Sequence, residues 1–175
     1  MASELYVETL KGLTSGANAN KVIIPSGQTL DASAGSVVLP AGAGGKVLNV
    51  YQDTSESTKN TSSTSFVAHG LSVTLTPVSA SSKFVMFLNT TGDMGSAQGV
   101  LITFYRDSTN LGHVNNGFGG MEAPYRGQTG MQYMDSPNTT NQITYAVYYR
   151  SRNGGTVELP PWQMVETFIV MEIAG

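Results

Sequence analysis

ITYAVYY, Ile143 to Tyr149, is the stretch that decides the fold. Ile143, Tyr145, Val147 and Tyr149 alternate with Thr144, Ala146 and Tyr148. Side chains change face at every step of a strand, so this run predicts a strand with one face in a core. Leu71, Val73 and Leu75 alternate in the same way with Ser72, Thr74 and Thr76. Three other runs are apolar on both parities: Phe84 to Leu88, Val100 to Tyr105, and Phe168 to Met171. Such strands need cover on both faces, from sandwich packing or from a neighbouring subunit. No 3.6-residue stripe exceeds two turns, and the chain reads as all-β.

Turn chemistry punctuates these runs at Gly92-Asp93, Asn115-Asn116-Gly117, Gly119-Gly120, Ser136-Pro137-Asn138 and Asn153-Gly154-Gly155. Asn153-Gly154 predicts a hairpin after the Tyr145–Arg150 strand. GDMGSAQG, Gly92 to Gly99, predicts a hairpin loop, because it lacks the glycine spacing and following helix of a phosphate loop. About eight strands fit between Lys46 and Ile173, the number of a jelly roll or similar antiparallel sandwich.

Before Lys46 the pattern changes. VIIPSG, Val22 to Gly27, returns fifteen residues later as VVLPAG, Val37 to Gly42. Apolar triplets closed by a Pro-small-Gly corner suit the rungs of a β-rich stalk in which copies of the chain wind together. Two unrelated edge strands with Pro-Gly turns are the alternative, since two copies fall short of three repeats. The expected division is 1–45 as stalk or attachment segment and 46–175 as sandwich.

Composition narrows the function. Charged residues make up 12%, about half the usual share of roughly 25%. Solubility falls instead to 37 Ser and Thr and 11 Asn, alongside 20 Gly, which suits a turn-rich β protein. Net charge is −3 and the nine Lys and Arg are scattered, which argues against nucleic-acid binding. Cysteine is absent, excluding disulfides and thiolate metal sites. No apolar stretch approaches the length of a membrane helix, so no membrane insertion is expected. Met1 to Thr14 carries Glu4, Glu8 and Lys11, unlike a secretion signal, which predicts synthesis in a cytoplasm. The sequons at Asn60, Asn89 and Asn138 are then chance matches.

Few residues offer chemistry. His69 and His113 have no second ligand at metal spacing and read as exposed or hydrogen-bonded. No cofactor is expected. Glu166 and Glu172 share one face of the last strand and read as a solvent-facing or interface pair rather than as a glycosidase dyad. Hydrolysis by acids such as Glu122 or Asp135 ranks last. The stretch from Asn115 to Pro137 sets Phe118, Tyr125, Arg126 and Tyr133 among glycines, and loops with aromatics and arginine are common recognition surfaces. A long connection covering the sandwich edge, its Met and Tyr filling gaps, is the alternative. In ELPPWQM, Pro160 and Pro161 forbid a central strand and leave Trp162 at a loop–strand junction. Candidate ligand contacts are thus Phe118, Tyr125, Arg126, Tyr133 and Trp162.

The order of motifs carries a resemblance. It runs through SELYVETLKGLT from Ser3, VIIPSGQTLDASAG from Val22 and GKVLNV from Gly45. A Ser/Thr-rich spacer, GLSVTLTPVSASSK from Gly70, YRDST from Tyr105 and MEI from Met171 follow. This succession resembles small fibre-type structural proteins of tailed bacteriophages, especially marine and cyanobacterial ones. The resemblance implies a homotrimer in the virion. Residues 1–45 would attach to capsid or tail proteins, with Leu5, Tyr6, Val7 and Leu10 as contacts. A jelly-roll-like knob, 46–175, would face outward with a host surface glycan as a further partner. The chain is shorter than long tail fibres and lacks a collagen-like or coiled-coil shaft. That favours a head fibre, capsid decoration or short tail fibre, without enzymatic activity. A dedicated receptor-binding fibre tip and a cellular carbohydrate-binding module are the competing readings.

Overall fold

A computed structural model describes residues 46–175, apart from 96, 98 and 123–125. The expected stalk rungs, Leu5, Tyr6, Val7 and Leu10, and Tyr125 lie outside the described residues. Among the described residues there are eleven strands and no α-helix.

Two antiparallel sheets pack face to face as a β-sandwich. The first has the order β1 (Val47–Ser55), β11 (Glu166–Ile173), β4 (Lys83–Gly92), β8 (Gly127–Asp135). The second has the order β3 (Val67–Leu75), β9 (Ile143–Ser151), β5 (Gly99–Arg106). On the far side of β5 lie β6 (Thr109–Asn110) and β7 (Gly119–Glu122). A short ribbon of β2 (Lys59–Thr61) and β10 (Val157–Leu159) forms a separate two-stranded pairing, with Val157 and Leu159 buried in the core.

The ITYAVYY run is β9, at the heart of the second sheet. Its residues Ile143, Tyr145, Val147 and Tyr149 are buried and the intervening ones are half-buried, following the sequence period. The facing layer is ordered in rows by strand register. Tyr51, Val170, Met86 and Tyr133 form one inward row, and Asp53, Phe168, Leu88 and Met131 the next. Phe104 of β5 stacks on Phe168 across the core at 5.5 Å between ring centroids.

Of the both-parity runs, β5 is buried on both faces, and its outward Thr103 is closed over by Asn110, whose Oδ1 accepts the hydroxyl at 2.7 Å. β4 and β11 differ. Their outward residues build an open apolar face. Val50, Met171, Val85 and Met134 line up across four strands, with Gln52, Ile169, Phe87 and Gln132 beside them. Val50 and Met134 are more than half exposed.

Three connections depart from expectation. Gly92 to Gly99 is a crossover, not a hairpin loop, because β4 belongs to the first sheet and β5 to the second. Asn153-Gly154 closes no hairpin either: β10 pairs with β2, while Ser151 N–H bonds to Ser63 O at 2.8 Å and draws the chain towards the ribbon. Most of the stretch from Asn115 to Pro137 is strand, β7 and β8, not a long loop. Gly120 serves close approach: a Cβ there would lie 1.7 Å from Val100 O, so only glycine lets β7 pair at that point.

Candidate functional site

β10 ends at Leu159 and β11 begins at Glu166. Between them, Pro160 and Pro161 are buried, while Trp162, Gln163, Met164 and Val165 are exposed. Proline has no N–H for a ladder, so the pair ends β10 and throws the chain outward. Trp162 and Gln163 take φ values of 53° and 57°, a left-handed conformation that costs a side chain about 1–2 kcal/mol. Trp162 is 58% exposed. A strained backbone holding a tryptophan into solvent makes this loop the candidate contact surface.

Arg126 reaches the loop from the start of β8. Its guanidinium carbon lies 4.2 Å from the Trp162 ring centroid, and its Nε lies 2.7 Å from Asp93 Oδ2. Asp93 is fixed in turn: its backbone exchanges bonds with Glu158 at 3.0 and 2.9 Å, and its Oδ1 accepts from Gly95 N–H at 3.1 Å. The carboxylate therefore holds the guanidinium over the indole, where the ring quadrupole attracts it. The guanidinium covers one face of the indole; an exposed indole with guanidinium donors beside it is suited to stacking on a sugar ring and bonding its hydroxyls.

The structure thus divides the expected ligand contacts. It brings Arg126 and Trp162 together. It draws Phe118 and Tyr133 away: their rings stand 4.6 Å apart, and Phe118 also packs on Phe104 at 5.5 Å. Both flank the core, filling the sandwich edge. Asp93, which orients the arginine, was hidden from sequence reasoning, because only the Asp93–Glu158 bridge brings it under the loop.

The acids are another correction. Glu166 and Glu172 are fully buried rather than solvent-facing. Glu172 accepts from Asn49 Nδ2 at 2.9 Å and from Val78 N–H at 2.7 Å. Asp135 accepts from Arg106 Nη1 at 2.6 Å and Tyr145 Oη at 2.7 Å. Burial, and then the Asp135 carboxylate, hold the Tyr145 hydroxyl well above its usual range. Glu166 Oε2 accepts the Thr90 hydroxyl at 2.9 Å. Burial raises its pKa to about 7, the Thr90 bond pulling the other way. His69 is buried beside it, hydrogen-bonded through Nε2 to Leu159 O at 3.0 Å. His113 is exposed, its Nδ1 accepting from Asn115 and Asn116 N–H. Glu122 pairs with Arg152 at the surface.

No protein-family model matches the chain, and a search of curated proteins finds no match.

Proposed function

We propose that the chain is a non-enzymatic structural protein of a bacteriophage virion: a homotrimeric surface appendage, head fibre, capsid decoration or short tail fibre, with a jelly-roll knob. The observation that carries the reading is the polarity of the knob. β1 starts and β11 ends side by side, where Ala174 N–H bonds to Lys46 O at 2.9 Å. Residues 1–45 join there. The Trp162 loop lies at the opposite end of β11, about 25 Å away along an eight-residue strand. A body tethered at one end and presenting an aromatic-guanidinium pair at the other has the layout of an adhesive appendage. The resemblance of the motif order to phage fibre proteins supplies the virion context.

Other features support it. The strand orders β1-β11-β4-β8 and β3-β9-β5-β7 fit two interleaved Greek keys, as a jelly roll requires. Glu172 and Asp135 are held by internal hydrogen bonds, the disposition of structural acids. The apolar outer face of the first sheet is of a kind that monomers rarely leave open. Its two central rows hold no charged residue, which suits packing against copies of itself.

Three results are expected. Light scattering at micromolar concentration gives three times the chain mass, and Phe87→Lys with Ile169→Lys gives monomers; a monomeric native protein would instead favour a cellular carbohydrate-binding module, which the Trp162 loop also fits. Trp162→Ala weakens binding to host cells about tenfold per site, the loss of a stacking contact of roughly 1–1.5 kcal/mol, and more where copies act together. Gold-labelled antibody to the knob should decorate virions; virions that carry none of the protein would sink the appendage reading.

A further inference from the structure

The exposed loop is gripped at its base by a buried pair. Leu159 precedes the loop and Glu166 follows it. His69 of β3 touches both: Nε2 is 3.0 Å from Leu159 O and 3.3 Å from Glu166 Oε1. A carbonyl only accepts, so Nε2 carries the hydrogen and Nδ1 is bare in the neutral ring. His69 Nδ1 and Glu166 Oε1 have no hydrogen-bond partner among the described residues. Both side chains are at most 2% exposed.

The surroundings favour one protonation state. Thr90 of β4 donates to Glu166 Oε2. Asp53 of β1 opposes the ionised acid, and Lys59 of β2 favours it. The Tyr149 ring of β9 lies edge-on to His69 at 5.2 Å. A second proton on His69 would sit on Nδ1, which has no acceptor, so burial holds the imidazole neutral below its usual range. A carboxylate at Glu166 would keep Oε1 charged and buried with no hydrogen bond, a costly state.

We propose that the Glu166–His69 pair is a proton-controlled latch on the Trp162 loop, holding both of its ends while Glu166 is protonated and loosening them when that proton leaves.

The direction follows from proton counts. The unfolded chain titrates Glu166 near 4.5 and His69 near 6.5. In the fold Glu166 is raised and His69 lowered, so above 4.5 the folded chain keeps a proton on Glu166 that the unfolded chain gives up, while the unfolded chain binds a proton on His69 more readily than the folded chain does. The two groups therefore pull stability in opposite directions below pH 6.5, and above it Glu166 alone counts. As pH rises through about 7, the folded-state value of Glu166, the folded pair loses its proton and the stabilisation with it. The contribution of His69 runs the other way: it is present above 6.5 and lost as pH falls below it.

The latch deepens the reading of the loop as the contact surface, and its test reads the loop itself, so the two fail separately. Trp162 is the sole tryptophan of the chain, and its emission reports the loop directly. In the full-length protein, Trp162 anisotropy should fall, and acrylamide quenching should rise, with a midpoint near pH 7 between pH 5.5 and 8.5. Glu166→Gln should flatten that transition. Thr90→Val should move the midpoint to higher pH, because the lost hydroxyl stabilised the carboxylate. A flat native profile overturns the latch, as does a Glu166→Gln profile with the native midpoint. Where Glu166→Gln fails to fold, an unmoved midpoint in Thr90→Val overturns it equally.

Discussion

Phe104→Ala should lower the stability of the knob by about 4 kcal/mol. Phe104 is fully buried and meets Phe168 of the opposite sheet and Phe118 of its own edge, each at 5.5 Å. Its ring is a direct contact between the layers. Neither neighbour is free to fill the gap: Phe168 sits in the register of β11, and Phe118 is pinned on Tyr133. The loss therefore includes a cavity as well as the transfer of the ring. Denaturant unfolding at fixed protein concentration measures it, with the midpoint shifted and the slope unchanged. A loss under about 1 kcal/mol would mean that the sheets close over the gap and that the interlayer packing is soft.

Asp135→Ala should cost about 3 kcal/mol, the lower end for breaking a buried ion pair, because the Arg106 side chain keeps some water. That side chain is 26% exposed against 9% for Asp135. The substitution also strands the hydroxyl of Tyr145, a fully buried residue. Asp135→Asn keeps an acceptor for that hydroxyl and should cost less. Tyr145→Phe in the Asp135→Ala background should add little, because the bond is already gone. Full additivity of the two changes would show that they do not share a network.

The strands were legible because their signal is local. Alternation in ITYAVYY needs no partner to be read, and β9 follows it residue by residue. The two-parity run of β5 likewise reads as a covered strand and is one. The same pattern in β4 and β11 told only that cover is needed, not what supplies it. The acids were misread because their partners are remote. Glu172 meets Asn49 from 123 positions away and Val78 from 94, and Glu166 meets Thr90 from 76. Parity shows that Glu166 and Glu172 share a face but not which face is inside. Trp162 and Arg126 were each visible by residue type. Their meeting depends on Asp93, brought in by a crossover that sequence mistook for a hairpin. Gly120 of β7 looked like part of a loop because glycine serves both turns and close backbone approach.

The pairing of β1 with β11 also sets how the knob would bear a load. Residues 1–45 join β1 at Lys46, and the Trp162 loop leads into β11 at Glu166; the two strands are antiparallel, with Val47 opposite Ile173 and Ser55 opposite Glu166. A pull between Lys46 and the Trp162 loop thus draws the strands past each other along their length. The ladder bonds run perpendicular to the strands, so they share the force together instead of opening one by one from an end. Under tension the knob is loaded in shear, the direction in which a sheet resists longest.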